Sequence, residues 1–420
     1  MPDVVAISGE RSVSREELAG LITKASASLA DGTTYALHAV EPIETLVYVL
    51  CAAQRNQRLV LIPANYGLDT AARMAADAGA VLLGDVSAQI GTAGAVGNNG
   101  SRDGWLGLYT SGTTGPPKLV LHDWERIQKP ADYVRPELAG EAWLSTYSYA
   151  SYAGIQVLFS ALNSGGTIIY SVSSFEETCR LMSRHGVSVV SATPTYWRML
   201  ITSWPSGLEK PVLKQATFGG EAARQDVLDL VARFFAPERL THIYASTEVG
   251  TALAVSDGHE GFPVRWLEKE GPVQVRIVDG VLEIRSDYAM KGYSNGDGVS
   301  EEGWFRTADN AEVRGDRIII TGRNDGVLNV GGAKISPEVV EDALLTIPGV
   351  TDCRVYRKTS PITGHLLAAD ILTEAESALT KSSIAGQLRA TLPASHVPAV
   401  IRFVDAIALS PTGKKSRADE

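Results

Sequence analysis

Cysteine is scarce in this chain: three in 420 residues, at Cys51, Cys179 and Cys353. They lie far apart, without the close pairs that hold zinc or a dense disulfide framework, and read as small buried hydrophobes in a reducing compartment. Long apolar runs are also missing. The longest, around Thr45 to Ala53, is too short to cross a bilayer. The opening Met-Pro-Asp-Val-Val lacks the charged head and apolar stretch of a signal peptide. A cytoplasmic protein with no membrane partner is therefore expected. Positive charge is outweighed, with 38 Lys and Arg against 48 Asp and Glu and a net charge of −10. That balance argues against a nucleic-acid partner, and a bound polyanion would have to meet a local nest of donors. Familiar short motifs are absent as well. Pro117, not glycine, precedes Lys118, which rules against a Walker loop, and the chain offers no dinucleotide GxGxxG after a strand, no nucleophile elbow and no HExxH metal pair.

What is present describes a globular protein of two or three domains: 45% hydrophobic and 20% charged residues over 420 positions. Ser14-Arg-Glu-Glu17 is a capping-box pattern that opens a helix through about Leu29. Strands are expected at Tyr35–Val40, Leu59–Pro63 and Val81–Leu83, with helices over Pro42–Arg55 and Asp69–Ala78 between them. This alternation predicts a parallel α/β sheet. Residues 91–104 read as a flexible connection that separates a short first unit from the remainder of the chain. The rhythm resumes with helix Glu176–His185, strand Val187–Ala192, strand Gln215–Phe218, helix Ala222–Phe235 and strand Leu240–Tyr244. From Val273 it turns to β: Val273–Val278 and Val281–Arg285 flank Asp279-Gly280, a hairpin signal. From Asn324 a compact α+β tail is expected, with a hairpin, a helix after Ser336-Pro337, two strands, a second helix near Ser382–Leu392 and a last strand at Val400–Val404.

The stretch Leu108-Tyr-Thr-Ser-Gly-Thr-Thr-Gly-Pro-Pro-Lys118 concentrates chemistry. Gly112 and Gly115 let backbone N–H groups approach a ligand, Ser111, Thr113 and Thr114 add hydroxyl donors, and Lys118 adds a positive charge suited to phosphate. By composition alone it is equally a solvated turn.

The order Tyr-Thr-Ser-Gly-Thr-Thr-Gly-x-x-Lys resembles the phosphate-binding signature of the adenylate-forming superfamily, the group of acyl- and aryl-CoA synthetases, luciferases and nonribosomal adenylation domains. Further matches come in order: Phe218-Gly-Gly-Glu-Ala222, Tyr244-Ala-Ser-Thr-Glu248, Gly303-Trp-Phe-Arg-Thr-Ala-Asp309, Gly322-Arg-Asn-Asp325, Gly331-Gly332 and Pro411-Thr-Gly-Lys414. The resemblance covers residue 108 to the C-terminus. It implies an α/β fold in which a large multi-subdomain N-terminal domain with a β-rich subdomain, residues 1–324, precedes a small mobile α+β domain, residues 325–420. Residues 1–107 precede the motif, fewer than usual for the group, so an N-terminally short member is expected.

The resemblance also implies roles. Making an acyl-adenylate brings a carboxylate to the α-phosphate of ATP, and donors, a lysine and Mg²⁺ must offset the repulsion. Thr110 through Gly115 with Lys118 would hold the outer phosphates. Thr247 beside Ser246 would contact the α-phosphate, and Glu248 would hold Mg²⁺. Gly220, Glu221, Ala222 and Tyr244 would flank adenine, and Asp309 and Arg323 the ribose. Lys414 would bridge substrate carboxylate and α-phosphate, while Lys415 reads as its solvated neighbour. Asp325 would be the hinge, and Gly331 and Gly332 would pass the pantetheine arm of CoA or of an acyl or peptidyl carrier protein. The acid would sit among Tyr149, Ala150, Tyr152, Tyr196 and Gly220, a mixture suited to an aryl or short acyl acid, with core packing as the other reading of each tyrosine. Tyr147–Gly154 holds neither the histidine of many acyl and aryl members nor an aspartate for an amino group. Leu119 and Ala308 replace glycines of the pattern. The expected activity is an AMP-forming acid–thiol ligase. An amine or hydroxyl acceptor, or a non-catalytic nucleotide-binding relative, are the alternatives, and an oligomer is possible.

Overall fold

The computed structural model describes residues 3–83, 103–110, 117–296, 302–324, 326–330, 333–360, 364–374, 377–409 and 414–415. Within these the α/β reading holds, as a large N-terminal domain built on three sheets and a smaller C-terminal domain. A six-stranded sheet runs in the order Gly292–Tyr293, Lys118–Asp123, Trp105–Thr110, Arg58–Pro63, Thr34–Ala39, Val81–Leu83. Its last four strands are parallel, and the first two pair antiparallel.

This sheet corrects the expectation of a separate first unit. Trp105–Thr110 lies beside Arg58–Pro63, with Leu108 opposite Leu61, so both sides of the supposed connection share one sheet. The end of that connection is fixed too: Lys291 Nζ lies 2.6 and 2.7 Å from the Asp103 carboxylate oxygens. A Cβ added to Gly104 would fall 2.1 Å from the Asn56 carbonyl oxygen. Backbone cannot yield there as a side-chain tip can, so Gly104→Ala is expected to cost about 1–3 kcal/mol in urea unfolding. An unchanged midpoint would refute that close contact. Residues 84–102 lie outside the described residues.

The second sheet has eight strands in the order Gly250–Val255, Leu240–Ser246, Gln215–Phe218, Val189–Ala192, Ala142–Ser145, Thr167–Tyr170, Val4–Ser8, Arg11–Ser14. It is parallel inside, with an antiparallel hairpin at each edge. Its inner strands are short and almost wholly buried, as expected where helices cover both faces. Ser14 caps helix Arg15–Ser28 as its spacing suggests, accepting the Glu17 N–H at 3.1 Å. Helices Tyr152–Asn163 and Pro194–Thr202 go beyond the sequence-based expectation, and Ser151 and Thr193 cap them. The helix expected from Ala222 starts at Gln225. Gly220 stands at φ +83°, outside helical geometry, and this keeps residues 219–224 as a loop at a strand end.

A five-stranded antiparallel sheet, Phe262–Pro263, Arg317–Arg323, Phe305–Arg314, Val281–Ser286 and Val273–Val278, forms the β-rich part. Its Asp279-Gly280 turn has both residues at positive φ, 51° and 74°, as a two-residue hairpin requires. The small domain packs helices Pro337–Leu345 and Lys381–Thr391 on strands Val350–Ser360, Gly364–Thr373 and Val400–Phe403. All three cysteines are free thiols and buried. Among the described residues no helix is long and apolar enough to cross a membrane.

Candidate active site

The functional segments sit where strands end. Thr110 and Lys118 face each other at the mouth of the hairpin that carries the phosphate motif, with Thr110 Oγ1 donating to the Lys118 carbonyl at 3.4 Å. Ser111, Gly112, Thr113, Thr114 and Gly115 lie outside the described residues, as do Asp325, Gly331 and Gly332. Lys118 Nζ stands 4.9 Å from the centre of the Tyr293 ring. The Tyr293 hydroxyl donates to Glu248 Oε1 at 3.3 Å. Tyr293, which no local signal marked, thus links the lysine of one sheet to the carboxylate of the other.

Thr247 and Glu248 form the turn between strands Leu240–Ser246 and Gly250–Val255. Ser246 Oγ accepts the Glu248 and Val249 N–H groups, both at 3.3 Å. His122, fully buried, reaches the Thr247 carbonyl from Nε2 at 2.7 Å. A carbonyl only accepts, so Nε2 carries the proton. Burial pushes the His122 pKa down to about 4, only partly opposed by that carbonyl.

Asp309 and Arg323, expected at the ribose, are direct partners across an antiparallel pair, with Arg323 Nε 3.8 Å from Asp309 Oδ1. The Tyr244 hydroxyl donates to Asp309 Oδ2. Burial, reinforced by the Asp309 charge, raises the Tyr244 pKa well above its ordinary value. The Asp309 N–H donates to Thr307 Oγ1 at 3.1 Å.

The loop Gly219–Ala222 meets the C-terminal tail. Glu221 Oε2 accepts from Thr195 N and Thr195 Oγ1 at 3.1 and 2.7 Å, while Glu221 Oε1 accepts the Lys415 N–H at 3.1 Å. A Cβ on Gly220 would lie 3.3 Å from Lys414 Cε, and it is the φ of +83° that favours glycine there. Lys414 is exposed as a residue, yet the end of its side chain reaches Gly220 of the large domain. Burial there lowers its pKa, with Glu221, Asp309 and Glu248 pulling the other way and Arg323 adding to the depression. The two sets of chemistry, more than a hundred residues apart in sequence, therefore share one electrostatic neighbourhood.

Lys415 is not the solvated neighbour expected. Its side chain is 11% exposed and its Nζ lies 2.8 Å from Asp352 Oδ1. Nothing in a Lys-Lys doublet tells which member turns inward. Further contacts join the domains: Arg224 to Asp342 at 2.5 Å, Arg198 to the Thr351 carbonyl at 3.5 Å, and Met199 clustered with Leu372 and Ile407.

Of the residues read as lining the acid site, Tyr149 is half-buried and meets Tyr170 edge to face at 5.1 Å. Ala150 and Tyr152 belong to one core cluster and Tyr196 to another. Tyr152 turns its hydroxyl to the Thr251 N–H at 3.1 Å, and Tyr196 stacks obliquely on Phe175 at 4.9 Å. Tyr147, absent from that reading, is buried and donates to the Gly219 carbonyl at 3.3 Å, within 4.0 Å of where a Gly220 Cβ would stand.

Among the described residues no group of three or more His, Cys, Asp or Glu side chains is placed to hold a metal. A single carboxylate, Glu248, on the same turn as Thr247, fits Mg²⁺, which retains water and phosphate oxygens and takes one or two carboxylates.

Two family profiles match the chain: "AMP-binding enzyme" over residues 87–294 and "AMP-binding enzyme C-terminal domain" over residues 339–414. The salicylyl-CoA synthase / salicylate adenylyltransferase of Streptomyces sp is 25% identical over 342 residues, 73% of this chain and 60% of that protein. A plipastatin synthase component of Bacillus subtilis is 26% identical over 74% of this chain, but only 13% of its own length is spanned. The probable 2-succinylbenzoate–CoA ligase of Mycobacterium tuberculosis is 26% identical over 74% of this chain and 82% of its own. Among solved structures, E. coli MenE with bound OSB-AMS superposes with a TM-score of 0.75 at 20% identity, covering 96% of this chain and 91% of that one. ATP-bound MatB from Rhodopseudomonas palustris gives 0.75 at 18% identity, with 98% and 94% covered. With its two profile matches in family order, the chain belongs to the AMP-binding enzymes, the adenylate-forming superfamily.

Proposed function

We propose that this chain is an ATP-dependent, AMP-forming acid–thiol ligase that adenylates an aryl or short acyl carboxylic acid. The acyl group then passes to the thiol of CoA or of a carrier-protein phosphopantetheine. The observation that carries the reading is the Lys414 ammonium beside Gly220, in a field set by Glu221, Asp309, Glu248 and Arg323. A cation there meets a carboxylate and an α-phosphate as negative charge builds between them. Relatives named for salicylate and 2-succinylbenzoate support the aryl class. The relative from plipastatin synthase keeps the carrier protein as an acceptor beside CoA.

In this reading Thr110 and Lys118 anchor the loop that takes the departing pyrophosphate, and Thr247 donates to the α-phosphate. Asp309 accepts from the ribose hydroxyls, with Arg323 holding its carboxylate. Tyr244, Gly220, Glu221 and Ala222 border the adenine, and Tyr149 forms an accessible wall on the acid side. Mg²⁺ held by Glu248 would neutralise phosphate charge. Residues 1–324 act as one domain and 325–420 as another, with Asp325 the hinge that absorbs the rotation. Gly331 and Gly332 leave space for the pantetheine arm. Proline fixes φ and removes a donor, so Asp325→Pro is expected to spare pyrophosphate exchange and to depress thioester formation by about tenfold or more. Equal loss in both steps would refute the hinge.

The deciding experiment is ATP–pyrophosphate exchange over a panel of aryl and short acyl acids, then product analysis with CoA or a phosphopantetheinylated carrier protein. Exchange with one acid and a thioester product are expected. Absence of exchange with every acid would sink the reading. Exchange followed by amide or ester formation would change the acceptor.

A further inference from the structure

We propose that Lys415 is a positioning residue, an internal bolt that fixes the C-terminal tail to the small domain and thereby aims Lys414 at the Gly220–Glu221 loop; this deepens the ligase reading and rests on it. The two lysines are neighbours with opposite directions. Residue 415 pairs with Leu409 in an isolated antiparallel bridge, and the contacts of the two side chains show their directions. Lys414 faces Gly220 of the large domain. Lys415 faces inward, with Asp352 Oδ1 at 2.8 Å and Glu341 Oε2 at 3.9 Å.

Both carboxylates are themselves held by backbone. Asp352 Oδ1 accepts the Cys353 N–H and Glu341 Oε1 accepts the Val355 N–H, each at 2.8 Å. Their side chains are 1% and 6% exposed, so neither can follow a moving ammonium. Burial alone would discharge Lys415, but the charges of Asp352 and Glu341 overcome it and hold its pKa above the ordinary lysine value. The bolt is therefore a permanent charge on a rigid socket.

Lys415 and its two carboxylate partners all belong to the small domain. The pairing thus does not depend on contact with the large domain and travels with the small domain. What reaches across is the Lys415 N–H, donated to Glu221 Oε1, together with Lys414. A charged side chain next to the reactive lysine does what a loop of backbone cannot: it removes the rotational freedom of a tail residue near the chain end. Arg198 brings a guanidinium from the large domain to the adjoining Thr351 carbonyl, so the surplus negative charge of the socket faces a cation when the domains meet.

The test separates aiming from folding. Lys415→Met strands two buried carboxylates and can unfold the small domain, so it is paired with Lys415→Met/Glu341→Gln/Asp352→Asn, which removes all three charges. Three quantities are measured for each folded variant: kcat and KM for pyrophosphate exchange, the single-turnover rate of thioester formation from supplied acyl-adenylate, and hydrogen exchange in peptides containing Lys415. The expected result is a drop in exchange kcat of about 10- to 100-fold, the scale of a misplaced reacting group, with KM for ATP within about threefold. Thioester formation should stay within about twofold, and the Lys415 peptides should lose protection. Lys415→Arg, which keeps the charge, should recover part of the exchange rate. Exchange within about twofold of the wild type in the triple variant, or equal losses in both half-reactions, would overturn the proposal. A wild type that exchanges with no acid would overturn the ligase reading and the aiming role with it. Protection lost in the triple variant would still mark the bolt, so the two failures are distinguishable.

Discussion

Lys414→Ala should lower ATP–pyrophosphate exchange by about 10³-fold with little change in the melting temperature. The magnitude is that of removing one preorganised donor from a developing charge, about 10²–10³ in kcat, at its upper end because a full cation is lost. In the proposed role Lys414 acts beside the Gly220–Glu221 loop, where burial depresses its pKa and the Glu221 carboxylate partly offsets that. The fold should tolerate the change, since Lys414 is an exposed residue and its neighbour Lys415 carries the buried ion pair. Lys414→Arg keeps the charge, but its longer planar fork does not match the space beside Gly220, so it should recover only a small part. Full exchange in Lys414→Ala, measured on protein with a wild-type melting curve, would remove this lysine from the adenylation step.

Acidification should begin to destabilise the chain near pH 6.5, above the range of ordinary carboxylate titration. His122 and His242 are buried, and each has a pKa pushed down to about 4 from 6.5. Burial is the main cause in both, and for His242 the Arg317 charge adds to it. Unfolding returns each ring to its ordinary pKa, so between pH 6.5 and about 4 the unfolded chain binds protons that the folded chain refuses. Stability is therefore unaffected by these groups above about pH 6.5 and falls as pH drops through that window. By about pH 4 the loss approaches about 3 kcal/mol for each histidine, a large share of the ~5–15 kcal/mol of a folded domain. Carboxylates with lowered pKa, such as Asp226 and Asp370, lose their contribution only at lower pH. Urea unfolding from about pH 7.5 to about 4.5 should show the decline, and His242→Asn should flatten it. A midpoint independent of pH over that range would refute the buried-neutral assignment.

His122 also shows what sequence reading overlooks. It lies on strand Lys118–Asp123, only four residues beyond Lys118, yet its partner is the carbonyl of Thr247, 125 positions away. A lone histidine in an apolar strand carries no sign of that. Tyr293 is similar: a two-residue strand places it between Lys118 and Glu248. Helix Tyr152–Asn163 is hard to read because its residues are apolar on nearly every side, so no 3.6-residue stripe marks it. The Gly104 end of the supposed linker looks loose because glycine, serine and aspartate surround it, whereas close approach to Asn56 is what it serves.

The family, the order of strands and helices over most of the chain, and the Asp279-Gly280 turn are legible in the residues alone. These are written locally, in motif order, in capping residues and in the period of apolar positions. The residues also mark the segments proposed to carry the chemistry, because a phosphate loop or a Thr-Glu turn needs particular residue types close together in sequence. Which of these segments meet, and how, is set by long-range packing. Asp309 and Arg323 become partners through antiparallel register, and Glu221 becomes the seam between domains by accepting from both Thr195 and Lys415. The two lysines at the tail received opposite tasks for the same reason. Which lysine faces Asp352 and which faces Gly220 is decided by packing between residues far apart in sequence.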